Sequence, residues 1–295
     1  MTMARPAPDG EIALSAPDVR AVLDLAAGGR LASLVVGERD LLVGRPAPGD
    51  RGIRWGSFLM APWPGRIAGA AFDWSGRTHR LEANDGPNAI HGVVFDRRWD
   101  IDEASASEVR LAIDLGPQGW PLGGSVRQRI RLAAGFIELS AEVVAGDEPM
   151  PAGLGWHPWF RRPDRGDLAV RVEAVDTLTS DAGLIPTGRR TPVDDATDLR
   201  AGPFLGERRL DHVYPDVRTP VVVAWPDLVL TMRSSAALGT FVVHTPPSGV
   251  CVEPQTEWPD AIALSGRGVT GTGIVPLEPG ESLRATTTWE WSARS

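Results

Sequence analysis

The sequence predicts an all-β protein built as one large antiparallel β-sandwich. Its 33 glycines and 26 prolines fall between short apolar stretches, at intervals too brief for long helices. Near the C-terminus, apolar and polar residues alternate over 283–292, as in a strand that buries one face. There is no strand–helix alternation and no glycine-rich phosphate loop, which argues against a doubly wound nucleotide-binding fold.

Further strands are predicted along the chain from the same patterns. Residues 168–174 and 228–232 alternate between apolar and polar side chains, which indicates half-buried strands. The apolar run 221–225 is typical of a strand buried on both faces. The stretch 16–27 fits a helix or a strand about equally well.

Length and composition favour a single domain. The 295 residues are 42% hydrophobic and 23% charged, close to globular averages. No internal repeat and no Gly/Ser-rich linker divides the chain, and residues 181–203 are interpreted as an excursion within one domain. We therefore expect a flexible N-terminal segment over 1–10 and one sandwich domain over 11–295.

Charge and cysteine content exclude several classes of partner. The formal net charge is -8 and the arginines are scattered, which argues against a nucleic-acid surface. No apolar run reaches the roughly 18 residues of a membrane span, and the first ten residues do not resemble a signal peptide. Cys251 is the only cysteine, so neither an intrachain disulfide nor a multi-cysteine metal site is available. We expect a cytoplasmic protein that binds neither nucleic acid nor membrane.

Two of the five histidines stand in unusual local sequences. His91 belongs to the run GPNAIHG, whose asparagine and glycines suit a tight turn from which the imidazole projects. His157 belongs to the run GLGWHPWF, where the following proline forces an extended backbone at the histidine. Both are candidates for a pocket. Structural roles are assigned to the other three: His79, His212 and His244.

Three charged residues in apolar or turn contexts complete the candidate site. Glu253 ends an apolar strand, where a carboxylate is costly unless it has partners or a chemical role. Arg66 lies in the run APWPGRIAG, and Asp211 lies in the run RLDHVY. Taken singly, each also has a structural interpretation as a salt-bridge or turn-capping residue.

Together these motifs resemble the aldose 1-epimerase family, the galactose mutarotases. That family shows an arginine before an I-x-x-x-x-F strand, an N-x-x-H-G turn, an H-P-Y-F element, an L-D pair and a strand-end glutamate. The same five elements occur here in the same order, at Arg66, Asn88, His157, Leu210 and Glu253. The resemblance implies the large galactose mutarotase-like supersandwich, which agrees with the predicted strands.

Two positions depart from the family pattern. Gly65 stands where an asparagine commonly precedes the arginine, and Trp159 replaces the tyrosine of the histidine–proline element. Both changes affect the wall of the expected pocket and leave the groups that transfer protons intact. They therefore bear on substrate preference more than on the reaction.

The resemblance implies an isomerase that interconverts the α and β anomers of a free aldose, of glucose or galactose type, with no cofactor and no metal. Ring opening needs a base at the anomeric hydroxyl and an acid at the ring oxygen, and groups with pKa values of about 4.3 and about 6.5 suit these tasks at neutral pH. By resemblance, Glu253 is the base, His157 the acid, and His91 a hydrogen-bond donor to developing charge.

The remaining site residues are expected to bind the sugar. The substrate-binding set consists of Arg66, Asp211, Asn88 and Trp159. A tryptophan is expected to stack on an apolar face of the sugar, and the candidates are Trp63, Trp156 and Trp159. The only partner implied is the small sugar, and we expect a monomer or a weak homodimer.

Two alternatives use the same fold. A hexose-6-phosphate mutarotase would need basic side chains to converge on the phosphate, and the candidates are Arg54, Arg66, Arg97 and Arg98. The H-P-W-F element is closer to the free-sugar enzymes. A non-catalytic carbohydrate-binding module would keep the pocket without needing both an acid and a base. A lyase or hydrolase on a related sandwich is a more distant option.

Overall fold

The computed structural model describes residues 10–50 and 52–294, and this part of the chain is dominated by strands. Its single α-helix, α1 (Ala261–Gly266), has six residues, and two 3-10 turns span Ala68–Ala70 and Gly116–Gln118. The strands are β1 (Glu11–Ala16), β2 (Val19–Asp24), β3 (Arg30–Val36), β4 (Arg39–Asp40), β5 (Ser57–Met60), β6 (Arg66–Ile67), β7 (Ala71–Trp74), β8 (Arg77–Arg80), β9 (Ala89–Ile90), β10 (Asp100–Ala104), β11 (Glu108–Asp114), β12 (Ser125–Ala133), β13 (Phe136–Val144), β14 (Met150–Ala152), β15 (Gly155–Phe160), β16 (Ala169–Glu173), β17 (Asp176–Ser180), β18 (Pro186–Pro192), β19 (Asp211–Tyr214), β20 (Arg218–Ala224), β21 (Leu228–Ser234), β22 (Thr240–His244), β23 (Val250–Gln255), β24 (Val275–Leu277) and β25 (Ser282–Ala293).

Two large antiparallel sheets contain most of these strands, which confirms the predicted fold class. The nine-stranded sheet has the order β1-β2-β3-β5-β15-β23-β22-β19, with β4 added at β3. The eight-stranded sheet has the order β10-β11-β12-β13-β25-β21-β20-β16. Small two-stranded pairs, β6 with β9, β7 with β8, β14 with β24 and β17 with β18, decorate these sheets.

One hydrophobic cluster joins the two large sheets. Leu34 and Phe241 of the nine-stranded sheet belong to the same cluster as Val126 and Trp289 of the eight-stranded sheet. Burial of apolar surface from both sheets in one core is what stabilises a sandwich. The predicted alternation over 283–292 is confirmed, because β25 buries every second side chain from Leu283 as far as Trp289.

Local predictions had mixed outcomes. The ambiguous stretch 16–27 forms the end of β1 and then β2, so it is extended. The run 221–225 was expected to be buried on both faces. Val221, Val223 and Trp225 are buried on one face, and on the other face Ala224 is buried while Val222 is half-buried. No helix in 10–50 or 52–294 is long and apolar enough to cross a membrane.

The domain prediction lies partly beyond what the structure describes. The expected flexible segment 1–10 falls outside the described residues except for Gly10, whose carbonyl accepts a hydrogen bond from the Leu25 amide. A single sandwich domain over 11–295 stays a prediction.

Candidate active site

The site is built from two adjacent rows of side chains on one face of the nine-stranded sheet. In the first row, Asp211 of β19 pairs with His244 of β22, His244 pairs with Cys251 of β23, and Cys251 pairs with Trp159 of β15. Directly opposed residues of antiparallel strands point to the same face. Residues from four strands, with sequence numbers from 159 to 251, are therefore neighbours.

The second row contains the expected acid and base. Val213, Val242 and Glu253 are paired across β19, β22 and β23, and His157 of β15 is paired with Phe58 of β5. Gly155 pairs with Gln255 and Trp159 with Cys251, and this register brings His157, midway between the first pair and the second, opposite Glu253. Each of these two residues is followed by a proline, whose fixed φ suits an extended backbone.

The imidazole of His157 faces the carboxylate of Glu253. His157 Nε2 lies 3.4 Å from Glu253 Oε1. Gln255 donates a side-chain hydrogen bond to Glu253 Oε2, with a donor–acceptor distance of 3.1 Å. One carboxylate oxygen is thus held by an amide, while the other remains directed at the imidazole. Glu253, His157 and Gln255 all line one cavity of about 80 Å³.

Aromatic rings fix the orientation of His157. Its ring stacks on Phe58 with centroids 4.8 Å apart and on Trp159 with centroids 5.8 Å apart. The edge of His91 meets it at 4.8 Å, with the two ring planes at 89°. His157 and Glu253 are only 4% and 3% exposed, yet both reach the cavity. A buried side chain with a single allowed orientation is suited to proton transfer.

The turn that carries His91 has an unusual backbone. His91 has φ +63°, a left-handed conformation that non-glycine residues rarely adopt, and its amide donates to the carbonyl of Gly65 at 2.9 Å. Gly92 follows with φ +78°, and a Cβ at that position would lie 1.9 Å from the Ala61 carbonyl oxygen. Glycine is therefore required after the histidine, which explains the His-Gly pair in physical terms.

Arg66 reaches the same cavity from β6. Its Nε donates a hydrogen bond to Asp85 Oδ2 at 2.6 Å, which fixes the guanidinium. Asn88, expected to bind the sugar, does not line the cavity, and its side-chain oxygen accepts a hydrogen bond from the Gly69 amide at 3.0 Å. Asn88 therefore shapes the turn beside Arg66. Asp85 was not predicted, because nothing in its local sequence distinguishes it from other loop aspartates.

A hairpin forms one wall of the cavity. β18 lies within the excursion predicted over 181–203, and its partner β17 directly precedes that segment; Ser180 and Leu184 at the end of this hairpin line the cavity. The side chain of Asp181 accepts hydrogen bonds from the amides of Gly183 and Ile185, at 2.8 Å and 3.0 Å, and so fixes the tip. Leu184 has φ +59° and is 36% exposed, so a strained apolar residue faces a polar site.

Burial shifts the pKa values of the acid–base pair in opposite directions. Burial, reinforced by the nearby charge of Asp211, raises the pKa of Glu253 well above its usual value. Burial, reinforced by His91 and His244, lowers the pKa of His157 well below its usual value. The ordinary values assumed from sequence therefore do not apply, because the surrounding strands exclude water. Each shift favours the uncharged form of its group.

His91 and Asp211, which flank the pair, differ in charge at neutral pH. Burial and then the neighbouring Arg66 lower the pKa of His91 to about 3, so its ring is neutral. Burial opposes ionisation of Asp211, but the adjacent His244 and the charge of Arg66 lower its pKa on balance, so it carries a negative charge. The cavity thus offers a neutral donor on one side and an anionic acceptor on the other.

The structure separates the tryptophan and histidine candidates. Of the three tryptophans expected near a sugar, Trp159 lies beside His157, whereas Trp63 and Trp156 belong to the hydrophobic cluster. Trp159 is 3% exposed and contacts His157 rather than lining the cavity. His244 was expected to be structural but lines the cavity, because the register of β22 places it next to Asp211.

The basic residues considered for phosphate binding do not converge. Of Arg54, Arg66, Arg97 and Arg98, Arg66 alone is among the residues that line this cavity. Arg97 lies 3.4 Å from Asp96 and 3.8 Å from Glu82, at a different cavity. The arrangement does not offer the cluster of cations that a sugar phosphate requires.

Three side chains near the site carry donor atoms of the kind that bind metal ions, and their spacing can be compared with that of a zinc site. One donor each from His157, Cys251 and Glu253 lies within 4.8 Å of the others. A tetrahedral zinc site, with bonds of about 2.0–2.3 Å, brings its donors to about 3.3–3.8 Å from one another. The three donor atoms of this chain are spread over as much as 4.8 Å, which is wider than the spacing in a zinc site. Two of the three side chains, His157 and Glu253, are also the expected acid and base.

Fold and site together define a β-sandwich protein with a buried histidine–glutamate pair beside a cavity. Residues 12–290 match the family described as "Aldose 1-epimerase". The chain belongs to this family of isomerases. The family predicted from the order of the motifs is therefore confirmed.

Individual relatives agree with this assignment. The chain is 31% identical over 267 residues to the galactose mutarotase of Homo sapiens, covering 77% of this chain and 76% of that protein. It is 32% identical over 108 residues to the uncharacterized protein YihR of Escherichia coli strain K12, covering 35% of each. The chain thus matches about a third of YihR and about three quarters of the human protein.

A solved structure supports the fold. The GalM/aldose epimerase homologue from C. elegans superposes with a TM-score of 0.85 at 17% identity, covering 97% of this chain and 99% of that chain. At this level of identity the similarity establishes the supersandwich fold alone.

Proposed function

We propose that this chain is an aldose 1-epimerase that interconverts the α and β anomers of a free aldose of glucose or galactose type. The observation that carries the proposal is the 3.4 Å approach of His157 Nε2 to Glu253 Oε1 beside a cavity. Family membership and the conjunction of Arg66, His91 and Asp211 around this pair support it.

Glu253 and His157 together supply the base and the acid. Glu253 Oε1 accepts the proton of the anomeric hydroxyl, while His157 donates a proton to the ring oxygen as the bond between C1 and O5 breaks. Rotation about the C1–C2 bond turns the aldehyde, and the ring closes with the two groups in exchanged roles. The uncharged pair becomes reactive when the carboxyl proton of Glu253 passes to His157 Nε2 across the 3.4 Å contact, which yields the carboxylate base and the protonated imidazole. Ring opening then returns the pair to its uncharged form, and ring closure runs the same transfers in reverse.

Three neighbouring residues hold the sugar. Neutral His91 donates a hydrogen bond to the ring oxygen or to a nearby hydroxyl, where charge develops. Arg66 and Asp211 bind hydroxyl groups, and the Asp211 carboxylate accepts two of them. Trp159 supports the His157 ring on which it stacks, and Asn88 shapes the turn beside Arg66, so neither needs to contact the sugar.

Polarimetry on freshly dissolved α-glucose and α-galactose tests the proposal directly. We expect the purified full chain to accelerate the approach to anomeric equilibrium of at least one of these sugars. Glucose 6-phosphate is the comparison substrate, since a strong preference for it would indicate the phosphate-directed enzyme. Sugar binding without acceleration would instead identify a carbohydrate-binding module. A cytoplasmic location and a monomeric or weakly dimeric state stay predictions.

A further inference from the structure

We propose that His244 is a positioning residue of the sugar site, which holds the side chain of Asp211 in the orientation that binds sugar hydroxyls. The inference rests on the proposed function. His244 was expected to be a structural residue, and it lies outside the five elements of the family resemblance.

The sheet register brings the two side chains together. His244 is the last residue of β22 and is directly opposed to Asp211, the first residue of β19. His244 Nδ1 lies 3.4 Å from Asp211 Oδ2, and both residues line the cavity. On the other side of His244 in the same row is Cys251, which is fully buried and offers no charge. Of the two residues next to His244 in this row, Asp211 is therefore the charged one.

The imidazole of His244 is itself held in place. Its ring meets Trp159 at a centroid distance of 5.9 Å, with the planes at 87°. Edge-to-face contact of this kind favours one orientation of the ring. Trp159 also stacks on His157, so one tryptophan supports both the expected acid and the residue beside Asp211.

Asp211 needs such support because its side chain is 41% exposed. A partly solvated carboxylate at a strand end samples several rotamers, and recognition of two hydroxyls requires both oxygens to be fixed. The adjacent His212 contributes differently, since its Nδ1 accepts a hydrogen bond from the Asp211 backbone amide at 3.2 Å. His212 thus restrains the backbone of Asp211, while His244 contacts the carboxylate.

A double-mutant cycle on the full-length protein tests the assignment. His244→Phe keeps an aromatic ring against Trp159 but removes the polar nitrogen, whereas His244→Gln keeps a side-chain donor. Both are compared with Asp211→Asn, with the double variant His244→Phe/Asp211→Asn, and with His79→Phe. His79 is a matched control because it stacks on Phe72, with ring centroids 5.1 Å apart, and does not line the cavity. Polarimetric kcat and KM are measured for each variant.

We expect His244→Phe to raise KM about tenfold while kcat falls less than about threefold, since the loss is one of orientation in substrate binding. In the Asp211→Asn background the same change should alter KM by less than about twofold, because the carboxylate that His244 holds is already gone. His244→Gln should recover most of the lost affinity, and His79→Phe should match the wild type.

Two results would overturn the proposal: an unchanged KM in His244→Phe, or effects of His244→Phe and Asp211→Asn that multiply independently. If His244→Phe does not fold, His244→Leu takes its place, with thermal unfolding as the check. Calorimetric sugar binding in the Glu253→Gln background gives a readout that needs no turnover. A wild type without mutarotase activity contradicts the proposed function, whereas an active wild type with uncoupled His244 contradicts only this inference.

Discussion

His157 and Glu253 lie on neighbouring strands, and their facing atoms, Nε2 and Oε1, are 3.4 Å apart. Neither strand places the pair alone. β15 supplies an imidazole clamped between two aromatic rings, and β23 supplies a carboxylate whose second oxygen is held by Gln255. This single contact joins the two motifs that the proposed chemistry requires.

Glu253→Gln should abolish most activity while sugar binding persists. The amide keeps the shape of the side chain but is a very weak base, and a well-placed general acid or base contributes about 10²- to 10⁴-fold in rate. We therefore expect kcat to fall at least about a hundredfold by polarimetry, with sugar binding still detectable by calorimetry. Near-normal turnover would remove Glu253 from the role of base.

His157→Asn tests the other half of the pair. Because the imidazole is expected to protonate the ring oxygen, kcat should fall by a similar factor of at least about a hundred. A variant that shows only a higher KM, with kcat preserved, would assign His157 to binding instead. The His79→Phe variant serves again as the control for loss of a ring outside the cavity.

Gly92→Ala should damage both stability and activity. The new Cβ would lie 1.9 Å from the Ala61 carbonyl oxygen, so the turn after His91 must move. We expect a loss of about 2 kcal/mol or more in the free energy of unfolding, measured in urea, together with a lower kcat. Gly86→Ala is the matched control, since Gly86, on the other side of β9, has φ +61° with open space around it. It should cost only the backbone strain, about 1 kcal/mol.

Leu184→Gly separates stability from substrate affinity. Glycine relieves the left-handed strain at φ +59° but adds freedom to the unfolded chain, and the two effects are of similar size, about 1 kcal/mol each. We therefore expect little change in Tm, together with a KM several-fold higher because the wall of the cavity is lost. Val175→Ala, at an apolar side chain that is 64% exposed and away from the cavity, should leave KM unchanged. An unchanged KM in Leu184→Gly would show that the Leu184 side chain does not contribute to substrate affinity.

Glu257→Gln should change how stability depends on pH. Glu257 is 2% exposed, and burial raises the pKa of its carboxyl well above the usual value. The folded protein therefore keeps a proton that the unfolded chain loses above about pH 4.3, so this group lowers wild-type stability as pH rises toward the folded pKa. The free energy of unfolding of the variant relative to the wild type should rise with pH, by at most about 1.4 kcal/mol per pH unit.

Urea unfolding at about pH 5 and about pH 8 measures this difference. Glu207→Gln is the control, because that side chain is 98% exposed and its replacement should show no comparable dependence on pH. A constant difference between Glu257→Gln and the wild type at both pH values would mean that Glu257 is ionised inside the fold.

The sequence by itself determined the fold class and pointed to the two residues that we propose as the acid–base pair. Period-two alternation and frequent turns are local signals, so β25 was predicted closely from its own residues. His157 and Glu253 were found because each precedes a proline in an apolar strand, and because five motifs in order carry a family resemblance. His91 was found from its turn, and the structure explains that turn through Gly92.

Only the tertiary structure decided which other residues reach the site. His244, Gln255 and Asp85 have unremarkable local sequences, and they matter because strand register and loop contacts set them beside Asp211, Glu253 and Arg66. The same register directs Trp156 into the core and Trp159 toward His157, a difference that composition cannot show. Burial also moved the pKa values of the pair away from those of free side chains, since desolvation depends on neighbours from distant parts of the chain.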